Sequence, residues 1–308
     1  MRNSVQVKVP ASTANLGPGF DTIGMAFQLY TTIRMTVSDH PEVVLYGDQL
    51  EGLPTDQSNL VYKMAEMVFR KVNKELPPLY IEMKSDVPLT RGLGSSAAAI
   101  IGGLVGANYL AGEPLSKEEI FLMATELEGH ADNVGASLFG GIIIAVLEQG
   151  RVPYLKIDPD PSLRALAVIP DFKLSTEKAR NVLPLEYSRQ DTVFSVGHAS
   201  LLAAALASRQ YGLLSTAMQD RIHQPYRMAL VPGMEEMLEG AHEYGALGIA
   251  LSGAGPTVIS LVQGEDEPLR KFMQDTLLKH GITSTALRLQ PDYHGAQIEH
   301  IDTPFHRE

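Results

Sequence analysis

Val5, Val7 and Val9 alternate with polar residues as far as Pro10, a period-two pattern that predicts a half-buried strand. The small residues of ASTANLGPGFD follow and predict a loop. Beyond it, Ile33, Met35 and Val37 mark one face of a second alternating run, and residues 43–46 form a short apolar strand, so the chain opens rich in β structure. Between 59 and 75 the spacing turns helical through Leu60, Met64, Met67 and Val68. Leu79, Ile81 and Met83 alternate again, leading into a glycine-rich loop at 88–98. Residues 97–110 are apolar, alanine-rich and free of proline, which predicts a buried helix packed closely through Gly102, Gly103 and Gly106. Ser116 and Glu119 have the spacing of a capping box and open a helix that should reach Glu128. Apolar strands near 138–147 and 152–157 close this half.

Proline and aspartate cluster in IDPDPS at 157–162, the best boundary in the chain. A length of 308 residues, at roughly 150 per domain, agrees with two domains, 1–157 and 158–308. In the second, the pattern predicts strands at 165–169, 246–251, 257–262 and 283–288, and helices near 191–209, 212–220, 233–243 and 266–280. Strands and helices mix without strict βα alternation, which favours an α+β fold over a doubly wound sheet.

Composition narrows the chemistry. With no cysteine, thiol catalysis, thiolate metal sites and disulfides are excluded. The net charge of −11 and the absence of a basic run argue against nucleic acid as a partner. No apolar run is long enough for a bilayer span, and MRNSVQVKVP carries no leader-like apolar core, so a cytoplasmic protein with no membrane partner is expected.

The loop PLTRGLGSSAA (88–98) stands between a predicted strand and a buried helix. Glycines there let backbone N–H groups approach a ligand, and the helix start adds unpaired donors and a positive dipole end. An acidic protein can therefore hold a polyphosphate through peptide groups and a metal ion instead of lysines. An ordinary turn with a helix cap would look similar. Gly92, Gly94 and Ala97 also satisfy G-x-G-x-x-A, but Glu113, about 20 residues on, precedes a helix instead of ending a strand. No Gly-Lys pair occurs, which excludes a Walker loop.

Taken together with VPASTANLGPGFDTIGMAF, EGHADNVGASLFGG (128–141) and LSGAGPTV (251–258), this loop resembles the GHMP small-molecule kinases, and within them the branch acting on L-homoserine. The resemblance implies a GHMP kinase fold: a ribosomal-protein-like N-terminal domain, a ferredoxin-like C-terminal domain, and ATP with Mg²⁺ at their junction. By the same resemblance, Pro88, Leu89, Thr90, Arg91, Gly92, Leu93, Gly94, Ser95, Ser96, Ala97 and Ala98 wrap the triphosphate. Ser95 and either Glu128 or Glu126 then ligate Mg²⁺, a hard cation suited to oxygen donors. Asn59 is placed beside adenine, although Ser58 and Asn59 also read as a plain helix start.

His130, Asp132 and Asn133, in HADN before a predicted apolar strand, would line the substrate pocket with Asn15 and Asp21. Arg180 and Arg227 are the expected carboxylate partners, with Thr176 nearby and the Gly253 turn against the phosphate loop. Asp132, Asn133 and Asn15 form the expected catalytic set, with Asp132 either a general base or an orienting group. The resemblance also implies a homodimer. Another kinase of the superfamily acting on a different hydroxylated acid such as mevalonate, an ATP-consuming decarboxylase and a non-catalytic nucleotide-binding module are the alternatives.

Overall fold

The computed structural model describes residues 2–299. β1 (Ser4–Asn15) and β2 (Gly19–Val37) form a long antiparallel pair in which Val5 faces Met35 and Val7 faces Ile33. There follow β3 (Glu42–Tyr46), α1 (Leu60–Lys71), β4 (Leu79–Ser85), α2 (Ser95–Leu110), α3 (Lys117–Glu128), α4 (Asp132–Phe139), β5 (Ile142–Ala145) and β6 (Tyr154–Ile157). The second half contributes β7 (Arg164–Pro170), α5 (Thr176–Asn181), α6 (Arg189–Ala207), α7 (Leu214–Ala217), α8 (Gln224–Arg227), α9 (Met234–Gly240), β8 (Gly248–Leu251), β9 (Val258–Val262), α10 (Glu267–Lys279) and β10 (Ser284–Leu289). A short β11 (Gln297–Glu299) ends the described chain.

Two sheets result. The first runs β11-β1-β2-β4-β3, with β5 on β2 and β6 on β5; the second runs β10-β7-β9-β8. The change between them falls after Ile157 and before Arg164, within the proline- and aspartate-rich stretch. The reading of 158–308 as one unit differs from the structure at its end, because β11 crosses back to pair with β1. Three residues of strand carry too little pattern to be found in a sequence.

Val5, Val7, Val9, Ile33 and Met35 turn one sheet face toward Ile101 and Leu104 of α2, all fully or almost fully buried. Each such side chain contributes about 1.5–3 kcal/mol by leaving water. Gly103 allows α2 to lie against Met64 of α1, where an added Cβ would come within 2.6 Å of that side chain. A second cluster joins the sheets: Met25 and Phe27 of β2 share it with Ala165 of β7 and Ile259 of β9. The two halves thus share an apolar cluster. Among the described residues, no helix is long and apolar enough to cross a membrane.

The first half departs from the sequence reading at two points. The predicted loop at 11–21 is largely strand. β1 continues through Pro10 with a register shift between Pro10 and Ala11, a bulge position where a missing N–H is tolerated. Residues 10–15 are buried throughout, so the polar alternation disappears. The apolar strand expected after HADN forms as β5, but α4, which HADN opens, comes between them unpredicted; α4 is buried over nearly its whole length, and a short buried helix cannot be told from a buried strand by periodicity.

Candidate active site

The glycine loop is held from two sides. Ser12 N donates to Leu93 O at 3.1 Å from β1, while Thr257 N donates to Arg91 O at 3.3 Å and Ser252 Oγ to Gly92 O at 2.5 Å from the β8–β9 turn. Gly92 and Gly94 have φ of 81° and 71°, and a Cβ would lie 2.2 Å from Ser252 O at the first and 2.2 Å from Ser12 Oγ at the second. Both the backbone conformation and the close approach require glycine. The loop delivers α2 with no side-chain cap at its start, so the first-turn amides remain for a ligand.

Thr90, Gly92, Gly94, Ser95, Ser96 and Ala97 line one cleft. The other predicted loop residues lie behind or beside it. Leu93 and Ala98 are buried in the core, Pro88 and Leu89 lead in from β4, and Arg91 reaches away, its Nη2 3.7 Å from Asp171. Asn59 caps α1: its Oδ1 accepts from Val61 N at 2.9 Å and its Nδ2 donates to Pro54 O at 2.7 Å, off the cleft lining.

The acidic wall is set by α3, whose start carries the capping box predicted for it: Ser116 Oγ accepts from Glu119 N at 3.1 Å and Glu119 Oε2 accepts from Ser116 N at 2.8 Å. The helix ends at Glu128, which faces the cleft and accepts from Ser96 Oγ at 2.7 Å. Glu126 is exposed and lies outside the lining. Of the two alternatives, geometry therefore leaves Glu128 beside the loop. The hydroxyl it meets belongs to Ser96, not Ser95.

From α4, Asp132 places Oδ1 2.6 Å from His130 Nδ1 and accepts there from Asn133 N at 2.7 Å. Its Oδ2 is buried without a protein partner. Burial pushes the His130 pKa down, but the hydrogen bond and charge of Asp132, with Asp21 and Glu128 nearby, outweigh it and leave the value raised. Asn133 accepts from Ser12 Oγ at 3.0 Å, a contact that sequence reasoning missed because Ser12 looked like one more small loop residue. Asn15, at φ 75°, accepts from Asp21 N at 3.0 Å and donates to Gly253 O at 3.1 Å, stitching the first turn to the β8–β9 turn.

Opposite this wall stand the guanidinium groups. Arg180, on α5, makes a two-pronged contact with Asp21 at 3.0 and 3.1 Å, and Thr176 opens the same helix at the cleft. Arg227, on α8, also lines the cleft but is only 2% exposed; burial and the neighbouring Arg180 lower its pKa to about 10. Leu174 and Ala254 also line the cleft and went unpredicted, since apolar residues next to a turn carry no chemical signal. The cleft thus joins a helix start able to bind phosphate, a carboxylate wall, and two cations able to bind a carboxylate.

The GHMP kinases N terminal domain model matches residues 59–141, and the GHMP kinases C terminal model matches residues 202–281. A homoserine kinase of Deinococcus radiodurans is 48% identical over 296 residues, 96% of this chain and 96% of its own. Another, from Desulfitobacterium hafniense, is 44% identical over 295 residues, 96% of this chain and 99% of its own. The chain belongs to the homoserine kinase family. The crystal structure of a family member from Cytophaga hutchinsonii matches with a TM-score of 0.86 at 28% identity, covering 97% of this chain and 98% of that one. A mevalonate kinase from Methanococcus jannaschii, at TM-score 0.67 and 18% identity over 93% of this chain and 98% of its own, shares the fold alone. The expected two-part α+β GHMP kinase fold is the fold observed.

Proposed function

We propose that this member of the homoserine kinase family transfers the γ-phosphoryl group of ATP to the side-chain hydroxyl of L-homoserine, giving ADP and O-phospho-L-homoserine on the route to threonine. One observation carries the reading beyond family membership: a single cleft joins the uncapped start of α2 to a pocket with both signs of charge, Asp21 and Glu128 facing Arg180 and Arg227. A zwitterionic amino acid needs both signs, whereas mevalonate carries no ammonium group. ATP binds through the loop from Thr90 to Ala97, where backbone amides supply the positive field that a chain of net charge −11 lacks in side chains.

Arg180 and Arg227 take the substrate carboxylate, and Asp21, released from Arg180, faces the ammonium group. Asn15, Thr176 and Gly253 complete this end. Asp132 Oδ2, buried and without a protein partner, accepts the hydroxyl of the substrate; His130 and Asn133 N hold its other oxygen in place. Phosphoryl transfer passes through a loose transition state, so orientation by Asp132 and Asn133 matters more than proton abstraction. The Glu128 carboxylate with the Ser95 and Ser96 hydroxyls is a hard-oxygen donor set that fits Mg²⁺. When bound, Mg²⁺ neutralises charge on the transferring phosphates. A homodimer is part of the same reading; exposed Leu185 precedes α6, and exposed Val193 and Val196 lie in its first two turns.

ADP release measured in parallel with L-homoserine, L-serine, L-threonine and mevalonate tests the proposal. Turnover should be fastest with L-homoserine and yield a phosphorylated product without CO₂. Equal or faster turnover with mevalonate would overturn the substrate assignment.

A further inference from the structure

His223 takes no part in the chemistry above, yet it is fully buried at the start of α8 and touches both halves of the cleft. Its ring stacks on Phe20 of the first turn, with centroids 5.0 Å apart and planes 20° apart. Nε2 lies 2.8 Å from Gly17 O, and Nδ1 lies 3.2 Å from Arg227 Nη1. A carbonyl only accepts and a guanidinium only donates, so Nε2 carries the hydrogen and Nδ1 presents its lone pair. The nearby Asp220, its Oδ2 3.6 Å from Nε2, is already engaged by the amides of Ile222, His223 and Gln224, each at 2.8 Å.

The rest of the Arg227 fork is set by two backbone carbonyls. Nε donates to Ala179 O at 3.0 Å and Nη1 donates to Gly253 O at 3.1 Å. With His223 Nδ1 on the other Nη1 hydrogen, three acceptors hold the guanidinium and leave both hydrogens of Nη2 for a ligand. His223 is the one side chain among the three. We infer that His223 is a positioning residue for substrate binding: it locks the Arg227 guanidinium so that Nη2 faces the carboxylate of the incoming amino acid. This rests on the reading of Arg227 as a carboxylate partner. It adds a relay from the first turn, through a neutral imidazole, to a cation on the other half of the molecule.

Steady-state kinetics of the full chain test it with graded variants. His223→Gln keeps a donor near Gly17 O and loses the acceptor for Arg227, while His223→Phe keeps the stacking on Phe20 and loses both bonds. Both should raise KM for L-homoserine about tenfold or more, the worth of one hydrogen bond to a charged group, with kcat and KM for ATP within about twofold of wild type. His223→Asn restores an acceptor near the Nδ1 position and should bring KM most of the way back, even where melting shows lower stability. The carboxylate-free analogue 3-aminopropan-1-ol should be used equally well by the wild type and His223→Gln.

Equal KM increases in the Asn and Gln variants, or a matching loss with 3-aminopropan-1-ol, would mean that His223 merely fills space and would overturn the inference. Arg227→Lys separates the two readings. If it raises KM for L-homoserine while His223→Gln does not, the positioning role falls and the carboxylate site stands. If Arg227→Lys leaves that KM unchanged, the carboxylate assignment itself falls.

Discussion

In the proposed reading the two walls of the cleft face the same problem, binding an anion in an acidic protein, and are built for it by opposite means. The wall from the first half uses peptide groups: glycines at positive φ press a loop against Ser12 and Ser252, and the start of α2 is left uncapped. The wall from the second half uses two guanidinium groups, each committed in advance to protein acceptors, Arg180 to Asp21 and Arg227 to His223 and two carbonyls. Peptide dipoles need no counter-ion when the site is empty, whereas a buried cation does. The backbone wall therefore tolerates few substitutions but needs no counter-ion, while the side-chain wall needs a network of acceptors.

The most damaging way to probe the first wall is Asp132→Asn. The exchange keeps shape but removes the charge that faces His130 and the unpartnered Oδ2 that would accept the substrate hydroxyl. Turnover should fall about 10²- to 10⁴-fold, the range for loss of a positioned acid or base. A loss near the upper end with unchanged KM for L-homoserine would point to true base catalysis; a loss near the lower end fits orientation. Activity within a few-fold of wild type would remove Asp132 from the mechanism.

Next in size is the contrast between Glu128 and Glu126. Only Glu128 meets the loop, through Ser96 Oγ. Glu128→Gln should raise the Mg²⁺ concentration for half-maximal turnover at least about 10- to 100-fold, the scale seen when groups around a metal site are removed. Glu126→Gln, on the exposed face of α3, should leave it unchanged. The reverse pattern would mean that α3 ends in a different register when the nucleotide is bound.

What could be read in the sequence follows the same division. A loop that works through its backbone must be spelled in glycine and small residues, so PLTRGLGSSAA was legible, as was the Ser116–Glu119 cap that starts the helix ending in Glu128. The cationic wall rides on α5 and α8, six and four residues long, which have no hydrophobic period to detect. Arg180 and Arg227 were found only through the resemblance. His223 escaped altogether, because a histidine two residues before a proline announces neither burial nor a partner. Asn59 shows the reverse hazard: as placed here, it behaves as a helix cap, the plainer of its two readings.

A milder comparison uses one histidine from each wall. His130 has a raised pKa; against its burial stand Asp132, Asp21 and Glu128. His223 has a lowered one, through burial first, with Arg227 adding to it and Asp220 opposing. The signs for stability are therefore opposite. The His130 contribution is fully present below the unfolded value of 6.5 and fades as pH rises through the raised folded value. That of His223 is present above 6.5 and fades as pH falls toward the depressed folded value. Melting curves from pH 5 to 9 should show the deficit of His130→Gln growing toward acid and the deficit of His223→Gln growing toward neutral pH. Parallel deficits across the range would mean that neither ring changes its proton affinity on folding.

The smallest effect separates stability from chemistry on the first wall. Ser116 lies at the far end of α3 from Glu128, and its hydroxyl accepts from Glu119 N while Glu119 answers to Ser116 N. Ser116→Ala removes one half of that box and should cost about 1 kcal/mol of unfolding free energy. Helix α3 is anchored along its length by Ile120, Phe121 and Ala124 in the core, so fraying at its start should not propagate twelve residues to the cleft. Denaturant unfolding should therefore register the loss, while kcat and both KM values stay at the wild-type level. A rise in KM for ATP, without change at the amino-acid site, would show that the cap also sets the position of Glu128 and that the backbone wall is less self-sufficient than its geometry suggests.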